Sequence, residues 1–91
     1  MALGARRYLI SGRVQGVGFR YFTVRVAREF QLAGWVRNLS DGRVEAYAAG
    51  PLSRLEDFEA RLRIGPRAAE VRSLEVEETA VDARIEGFDI R

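Results

Sequence analysis

A glycine-rich segment followed closely by an arginine could hold a phosphate. Gly16 and Gly18 flank Val17, and Arg20 follows two positions later. Glycines in front of a helix let the backbone approach an anion and direct its free amides at it. A guanidinium can then donate two parallel hydrogen bonds to the phosphate. The same residues also suit an ordinary glycine turn beside an exposed arginine, and their spacing alone does not decide between the two.

Asn38 is the second residue with chemical potential, and it is the only asparagine of the chain. A side-chain amide both donates and accepts hydrogen bonds, so it can hold a water molecule in one orientation. An asparagine at the end of a strand can instead support the following turn by bonding to nearby backbone. Residue type alone favours this second interpretation.

The missing residue types limit the chemistry. The chain has no cysteine and no histidine, which excludes disulfides, thiolate nucleophiles, serine–histidine triads and the usual zinc ligands. Glu75, Glu77 and Glu78 lack histidine or aspartate partners and are interpreted as surface charge. Any catalysis must therefore depend on positioning and electrostatics.

Length and composition predict one globular domain over residues 1–91, with 47% hydrophobic residues to build its core. All 15 basic residues are arginine, and the net charge is only +2. No block of like charge predicts a nucleic-acid arm. No signal peptide and no membrane-length apolar stretch is evident. We expect a cytoplasmic monomer without membrane or nucleic-acid partners.

The hydrophobic pattern predicts five strands and two helices. The predicted strands are Arg7–Val14, Trp35–Asn38, Arg43–Ala49, Val71–Glu78 and Phe88–Ile90. The first helix is predicted over Tyr21–Leu32, with Gly34 ending it in the left-handed conformation. Its expected buried stripe is Phe22, Val26, Phe30 and Ala33. The second helix is predicted to begin at a capping box, Ser53–Glu56, to bury Leu55, Phe58 and Leu62, and to end at Gly65-Pro66.

This element order predicts an α+β, ferredoxin-like βαββαβ sandwich with a short extra strand at the C-terminus. Two helices cover one face of a mainly antiparallel sheet, and the third strand lies between the first two. The first two strands then run in the same direction. Asn38 is therefore expected on the same side of the sheet as the Gly16–Arg20 segment.

The longest motif, Ser11–Phe22, resembles the signature of the acylphosphatase family. Gly34–Asn38 and the following Asp41–Glu45 resemble a second part of it. Later positions are also similar to landmarks of that family: Gly50, Phe58, Leu62, Gly65, Pro66, Phe88 and Ile90. The similarity runs from about Tyr8 to Arg91, while residues 1–5 and 79–86 match nothing distinctive and receive no role.

This resemblance implies hydrolysis of acyl phosphates to a carboxylate and inorganic phosphate, without metal or cofactor. Arg20 corresponds to the family's phosphate-binding arginine, and Asn38 to the asparagine that orients the attacking water. The backbone of Gln15, Gly16, Val17, Gly18 and Phe19 corresponds to the phosphate-binding loop. The implied partners are a small acyl phosphate and inorganic phosphate.

Two other functions are compatible with the same architecture. One is a non-catalytic module that binds phosphate or carbamoyl phosphate, against which the presence of both Arg20 and Asn38 argues. The other is RNA binding, which uses aromatic residues on the central strands. The third predicted strand offers one tyrosine, Tyr47, near Glu45, so RNA binding is disfavoured.

Overall fold

The computed structural model describes residues 2–91, so Met1, the first residue of the predicted domain, lies outside the described residues. The described part contains seven elements, all of which the sequence pattern predicts. In chain order they are β1 (Leu3–Arg13), α1 (Phe19–Glu29), β2 (Ala33–Asn38), β3 (Val44–Pro51), α2 (Leu52–Ile64), β4 (Glu70–Thr79) and β5 (Phe88–Ile90). None of the helices in residues 2–91 is long and apolar enough to cross a membrane.

The strands form one sheet in the order β4-β1-β3-β2-β5. All neighbours are antiparallel except β2 and β5, which are parallel. This confirms the ferredoxin-like α+β fold and the predicted place of β3 between β1 and β2. Because β1 and β2 both pair antiparallel with β3, they run in the same direction and end at the same end of the sheet.

The main core lies between the two helices and one face of the sheet. Alternating residues of β1 and β3 supply the sheet side, because successive side chains of a strand point to opposite faces. The predicted buried face of α2 is confirmed, since its three members are fully buried. The largest contributions come from Tyr8, Ile10, Phe19, Val26, Val44, Leu55, Phe58, Leu62 and Phe88.

The opposite face of the sheet is partly covered by residues 80–87. This segment joins β4 to β5, which lie at opposite edges of the sheet, so it must cross the strands between them. Ile85 packs against Tyr47 and its buried neighbours on this face. The Tyr47 hydroxyl accepts a hydrogen bond from the Asp82 amide (2.7 Å) and donates one to the Ala80 carbonyl (3.2 Å). The segment that matched no motif thus closes a second, smaller cluster.

The predicted end of the first helix is wrong. Helix α1 ends at Glu29, and Gln31 rather than Gly34 takes the left-handed conformation, with φ of 56°. The Leu32 amide bonds to the Ala27 carbonyl (2.9 Å) and the Gln31 amide to the Arg28 carbonyl (3.1 Å). These two bonds form a Schellman motif, which satisfies the last helical carbonyls before β2 begins.

The start and the buried stripe of α1 also differ from the prediction. The helix begins at Phe19, two residues earlier, and its fully buried residues are Phe19, Thr23, Val26 and Ala27. Of the predicted stripe only Val26 is fully buried. Phe22 and Phe30 are half-buried at the margins of the core, and Ala33 belongs to β2.

The capping box predicted for the second helix is absent from residues 52–64. Helix α2 begins at Leu52 after Pro51, without a side-chain hydrogen bond at its N-cap, so Ser53 already lies inside the helix. Proline supplies a fixed φ just before the first helical residue and has no amide that would need a partner. The predicted end is confirmed, since Gly65 follows the last helical residue with φ of 72°.

Candidate functional site

The glycine loop, Gln15–Phe19, connects β1 to α1 and depends on two left-handed glycines. Gly16 has φ of 73° and Gly18, the N-cap of α1, has φ of 77°. Only glycine adopts this conformation at little cost. Two side chains anchor the loop to the core: Phe19 is buried, and Val17 packs against the core. Its backbone is therefore held in one shape before any ligand arrives.

The backbone amides of the loop and the first helical turn are available to a ligand. In the part of the chain that the structure describes, no amide from Gly16 to Tyr21 donates to a carbonyl or a side chain. The first bond of the helix runs from the Phe22 amide to the Gly18 carbonyl (3.0 Å). The first turn also contains no acidic residue. Free amides together with the positive end of the helix dipole favour an anion here.

Arg20 is the only arginine of residues 2–91 that is neither exposed nor paired. It is the second residue of α1 and is half-buried, and it makes no ion pair or hydrogen bond with the described residues. The other half-buried arginines each contact an acidic side chain or, in one case, a glutamine: Arg6, Arg7, Arg43, Arg54 and Arg61. The donors of the Arg20 guanidinium are thus unused within residues 2–91.

Asn38 ends β2 on the side of the sheet that the helices cover. It lies opposite Val44 of β3, and directly opposed residues place their side chains on the same face. Val44 is fully buried in the main core. The Asn38 Oδ1 atom is also buried, and it accepts no hydrogen bond from any described residue. An amide oxygen in this position is an acceptor without a protein donor.

The turn after Asn38 is held by other groups. The Leu39 amide bonds to the Arg43 carbonyl (2.8 Å), and the Gly42 amide bonds to the Leu39 carbonyl (3.2 Å). The Asp41 carboxylate accepts the Arg43 amide (3.1 Å). No hydrogen bond from the Asn38 side chain to this turn is found among residues 2–91. Within residues 2–91 the turn is therefore held without a hydrogen bond from the Asn38 side chain.

Gln15 connects the glycine loop to this turn. Its side-chain nitrogen, Nε2, donates to the Leu39 carbonyl (2.7 Å) and to the Arg43 carbonyl (3.0 Å). The loop that precedes Arg20 and the turn that follows Asn38 are thereby brought into contact. Sequence reasoning assigned Gln15 only a backbone role, because the carbonyls it binds lie 24 and 28 residues away.

A buried carboxylate stabilises the sheet beside the site, on the face away from the helices. Glu45 is only 3% exposed, and its two oxygens bind Arg7 Nε (2.5 Å) and Arg37 Nε (2.6 Å). Burial alone would raise the pKa of Glu45. Hydrogen bonds from Arg37 and Arg7, with their charges, outweigh burial and hold this pKa below its usual value. The three side chains link β1, β3 and β2, directly beside Asn38.

Three glutamates near the end of β4 do not form a metal site. Glu75, Glu77 and Glu78 are all exposed, as expected of surface charge. Among residues 2–91 no three Asp, Glu, His or Cys side chains are grouped so that they could hold a metal ion.

Cavities lie at both ends of α1. One, of about 410 Å³, lies at the C-terminal end of the helix and is lined by residues including Arg28, Leu32 and Phe88. The other, of about 270 Å³, lies at the N-terminal end, where Gly18 forms part of its wall. Only the second one adjoins the glycine loop.

The fold and the site together define a ferredoxin-like α+β protein. At one end of its sheet lie a glycine loop with free amides and a carboxamide oxygen, Asn38 Oδ1, that has no donor within residues 2–91. Comparison with known proteins gives the family. The sequence model of the family Acylphosphatase matches residues 6–90. The chain is 52% identical over 85 residues to an acylphosphatase of Koribacter versatilis (strain Ellin345), which covers 93% of this chain and 77% of that relative.

Solved structures agree with the sequence comparison. The crystal structure of acylphosphatase from Bacillus subtilis matches with a TM-score of 0.93 and 40% identity, over 99% of both chains. Full-length HypF in a phosphate- and nucleotide-bound form matches with a TM-score of 0.87 and 27% identity, over 99% of this chain but 12% of that one. The chain belongs to the acylphosphatase family, and the prediction of an enzyme of this class is confirmed.

Proposed function

We propose that this chain hydrolyses acyl phosphates by in-line attack of a water oriented by Asn38 on a phosphate held by Arg20 and the glycine loop. One observation carries the proposal: Arg20 follows a run of backbone amides in the glycine loop, and within residues 2–91 neither these amides nor the half-buried Arg20 side chain has a partner. The products are a carboxylate and inorganic phosphate.

Positive charge on one side of the phosphate accounts for most of the rate enhancement, because it stabilises the transition state. In phosphoryl transfer, charge spreads over the equatorial oxygens, so fixed donors around them stabilise the transition state. The amides of Gly16, Val17 and Gly18 surround these oxygens, and the Arg20 fork donates two parallel hydrogen bonds to them. This donor set needs no metal or cofactor, which supports a cofactor-free reaction.

Asn38 positions the nucleophile. The buried Oδ1 atom accepts a hydrogen from the water, and an oxygen lone pair of that water is then directed at phosphorus. A neutral carboxamide suits this role, since it does not repel the phosphate as a carboxylate would. The rate rises because the attacking water is already aligned with phosphorus and does not have to reach this position by random collision.

The reaction proceeds without a strong protein base. The new bond joins the water oxygen to phosphorus, and the bond from phosphorus to the acyl oxygen breaks. The departing carboxylate leaves with the electron pair and needs no proton at neutral pH. A phosphate oxygen takes the proton from the attacking water. This route fits a chain that has no histidine.

We also propose that residues 1–91 act as one domain and that the protein is a cytoplasmic monomer. One family match over residues 6–90 supports the single domain. Size-exclusion chromatography with light scattering tests the monomer, since a mass of twice 10.3 kDa would contradict it.

Hydrolysis of benzoyl phosphate by three variants tests the mechanism. We expect Arg20→Ala and Asn38→Ala each to lose at least about 100-fold in kcat/KM while remaining folded. Arg20→Ala should also lose inhibition by free phosphate, whereas Asn38→Ala should retain it. Arg67→Ala, which removes an exposed arginine without a partner in residues 2–91, is the matched control and should behave as the parent. Phosphate binding by the parent without turnover would favour the non-catalytic binding module instead.

A further inference from the structure

The end of β2 that carries Asn38 is paired on one side only. Up to Val36, the strand lies between β3 and β5. The Arg91 amide ends the contact with β5 by donating to the Val36 carbonyl (2.9 Å). Beyond that bond, Arg37 and Asn38 pair only with β3 within residues 2–91. Strand ends with few partners open more readily than strand centres. The position of Asn38 therefore depends on what else holds this end of β2.

An ion pair on the opposite face of the sheet holds the same end of β2. Arg37 and Glu45 are directly opposed in the pairing of β2 with β3, and Arg37 Nε donates to the Glu45 carboxylate (2.6 Å). Because Glu45 is buried, water and salt screen this pair only weakly. The Arg37 guanidinium also lies over the Trp35 ring, 5.3 Å from its centre. Two neighbours thus fix the Arg37 side chain, although 49% of it is exposed.

Arg37 and Asn38 are consecutive, so their side chains point to opposite faces of one strand. A planar peptide group joins them, and fixing the backbone at Arg37 limits how far the backbone at Asn38 can turn. On the basis of the proposed function, we propose that Arg37 and Glu45 are positioning residues that keep the Asn38 side chain aligned for in-line attack. Alignment of this kind matters because a displacement of about 1 Å can lower a rate about 100-fold.

Arg7 offers a matched comparison, since it binds the other oxygen of the same carboxylate. Arg7 Nε donates to Glu45 (2.5 Å), and 38% of the Arg7 side chain is exposed, against 49% for Arg37. Arg7, however, lies inside β1, where it is paired with Tyr47 on one side and Glu77 on the other. Loss of either arginine removes one hydrogen bond from Glu45. Only the loss of Arg37 releases the end of a strand that carries a candidate site residue.

Arg37→Met and Arg7→Met separate positioning from stability, because methionine keeps an apolar side chain but cannot donate to Glu45. We expect kcat for benzoyl phosphate to fall about 10-fold in Arg37→Met and to stay within about twofold of the parent in Arg7→Met. The inhibition constant of free phosphate should be unchanged in both variants, since Arg20 and the glycine loop are intact. The urea midpoint of unfolding should fall by a similar amount in both. Arg37→Lys keeps a cation beside Glu45 and should recover most of kcat.

NMR of protein labelled only at asparagine nitrogen reports on Asn38 without any substrate. Asn38 is the only asparagine of the chain, so its side-chain amide gives a single pair of signals. We expect this pair to move or broaden in Arg37→Met, because the strand end is released. In Arg7→Met the pair should keep the positions and widths that it has in the parent.

The other outcomes overturn the positioning role or the proposed function, and the two failures are distinguishable. Equal losses of kcat in Arg37→Met and Arg7→Met, or no loss in Arg37→Met, would show that the pairs of Glu45 only stabilise the sheet. Unchanged Asn38 signals in Arg37→Met overturn the positioning role whether or not the chain is active. A parent chain that hydrolyses no acyl phosphate overturns the proposed function, and shifted Asn38 signals would then still support the control of Asn38 by Arg37.

Discussion

Gln15 donates a hydrogen bond of 2.7 Å from its side-chain nitrogen to the carbonyl oxygen of Leu39, the residue next to Asn38. A second bond of 3.0 Å to the Arg43 carbonyl uses the other hydrogen of the same amide. The parts of the candidate site that we propose to bind phosphate and to orient water follow different strands, and this amide ties them together. We regard Gln15 as a positioning residue, because it acts on the geometry between the loop and Asn38.

Replacing this amide should reduce turnover more than phosphate affinity. Gln15→Met keeps the length of the side chain but cannot donate to the two carbonyls. We expect kcat to fall about 10-fold, because the distance from Asn38 to the loop is no longer fixed. We expect the free energy of unfolding to fall by about 1 kcal/mol. Steady-state kinetics with phosphate inhibition measures kcat and phosphate affinity. Urea unfolding measures the free energy of unfolding. If phosphate affinity falls as much as kcat, Gln15 supports the loop alone.

The second prediction separates the shape of the Arg20 side chain from its charge. Arg20→Lys preserves the positive charge but replaces a planar fork by a point charge. We expect the inhibition constant of free phosphate to rise about 10-fold and kcat/KM to fall by at least as much. Arg67→Lys serves as the exposed control. A lysine variant with the parent's phosphate affinity would show that charge alone suffices.

The third prediction concerns Glu45 and acid stability. Its pKa in the folded protein is held below the ordinary value of 4.5, so its stabilising contribution is complete above that pH. The contribution is lost as pH falls through the lowered folded-state pKa. The free energy of unfolding of the parent should therefore decrease below about pH 4.5, whereas that of Glu45→Gln should depend less on pH in this range.

At neutral pH we expect Glu45→Gln to cost about 2 kcal/mol. The substitution removes the charged partner of two arginines. Because the Arg7 and Arg37 side chains are 38% and 49% exposed, they remain solvated, and the loss of stability is smaller than for a fully buried pair. Urea unfolding at pH 7 and at about pH 3.5 measures both effects. Parallel pH profiles for parent and variant would assign the acid sensitivity to another carboxylate. Glu77→Gln, which changes an exposed carboxylate without an ion pair in residues 2–91, is the control.

Much of the fold could be predicted because local patterns and global packing agree. The period of two in β3 and the apolar stripe Leu55, Phe58 and Leu62 in α2 each identify a buried face. The direction of β1 and β2 then brings Asn38 to the same end of the sheet as the glycine loop. The roles that we propose for Arg20 and Asn38 came from the family resemblance, since residue types alone left them open.

The errors arose where a contact distant in sequence overrides a local signal. Gly34 has the position of a helix-ending glycine, yet it is required because an added Cβ would lie 1.8 Å from the Tyr47 carbonyl oxygen on β3. Only the paired sheet reveals that contact. Ser53 forms part of a capping pattern, but the chain turns into α2 one residue earlier, at Leu52. The hydrogen bonds of Gln15 likewise depend on a turn that sequence spacing cannot locate.

The last prediction asks whether phosphate binding depends on the shape of the glycine loop or only on the stability of the whole protein. Gly18 and Gly87 have nearly equal left-handed φ angles, 77° and 67°, and neither has an atom within 4 Å of an added Cβ. Gly18→Ala and Gly87→Ala should therefore each cost about 1 kcal/mol of stability through strain alone. Only Gly18→Ala should weaken phosphate inhibition, about 10-fold, because relaxing that strain turns the amides of the loop away from the anion. Urea unfolding and phosphate inhibition of both variants provide the test. Equal effects on phosphate binding would mean that general destabilisation, and not the aim of the loop amides, controls the site.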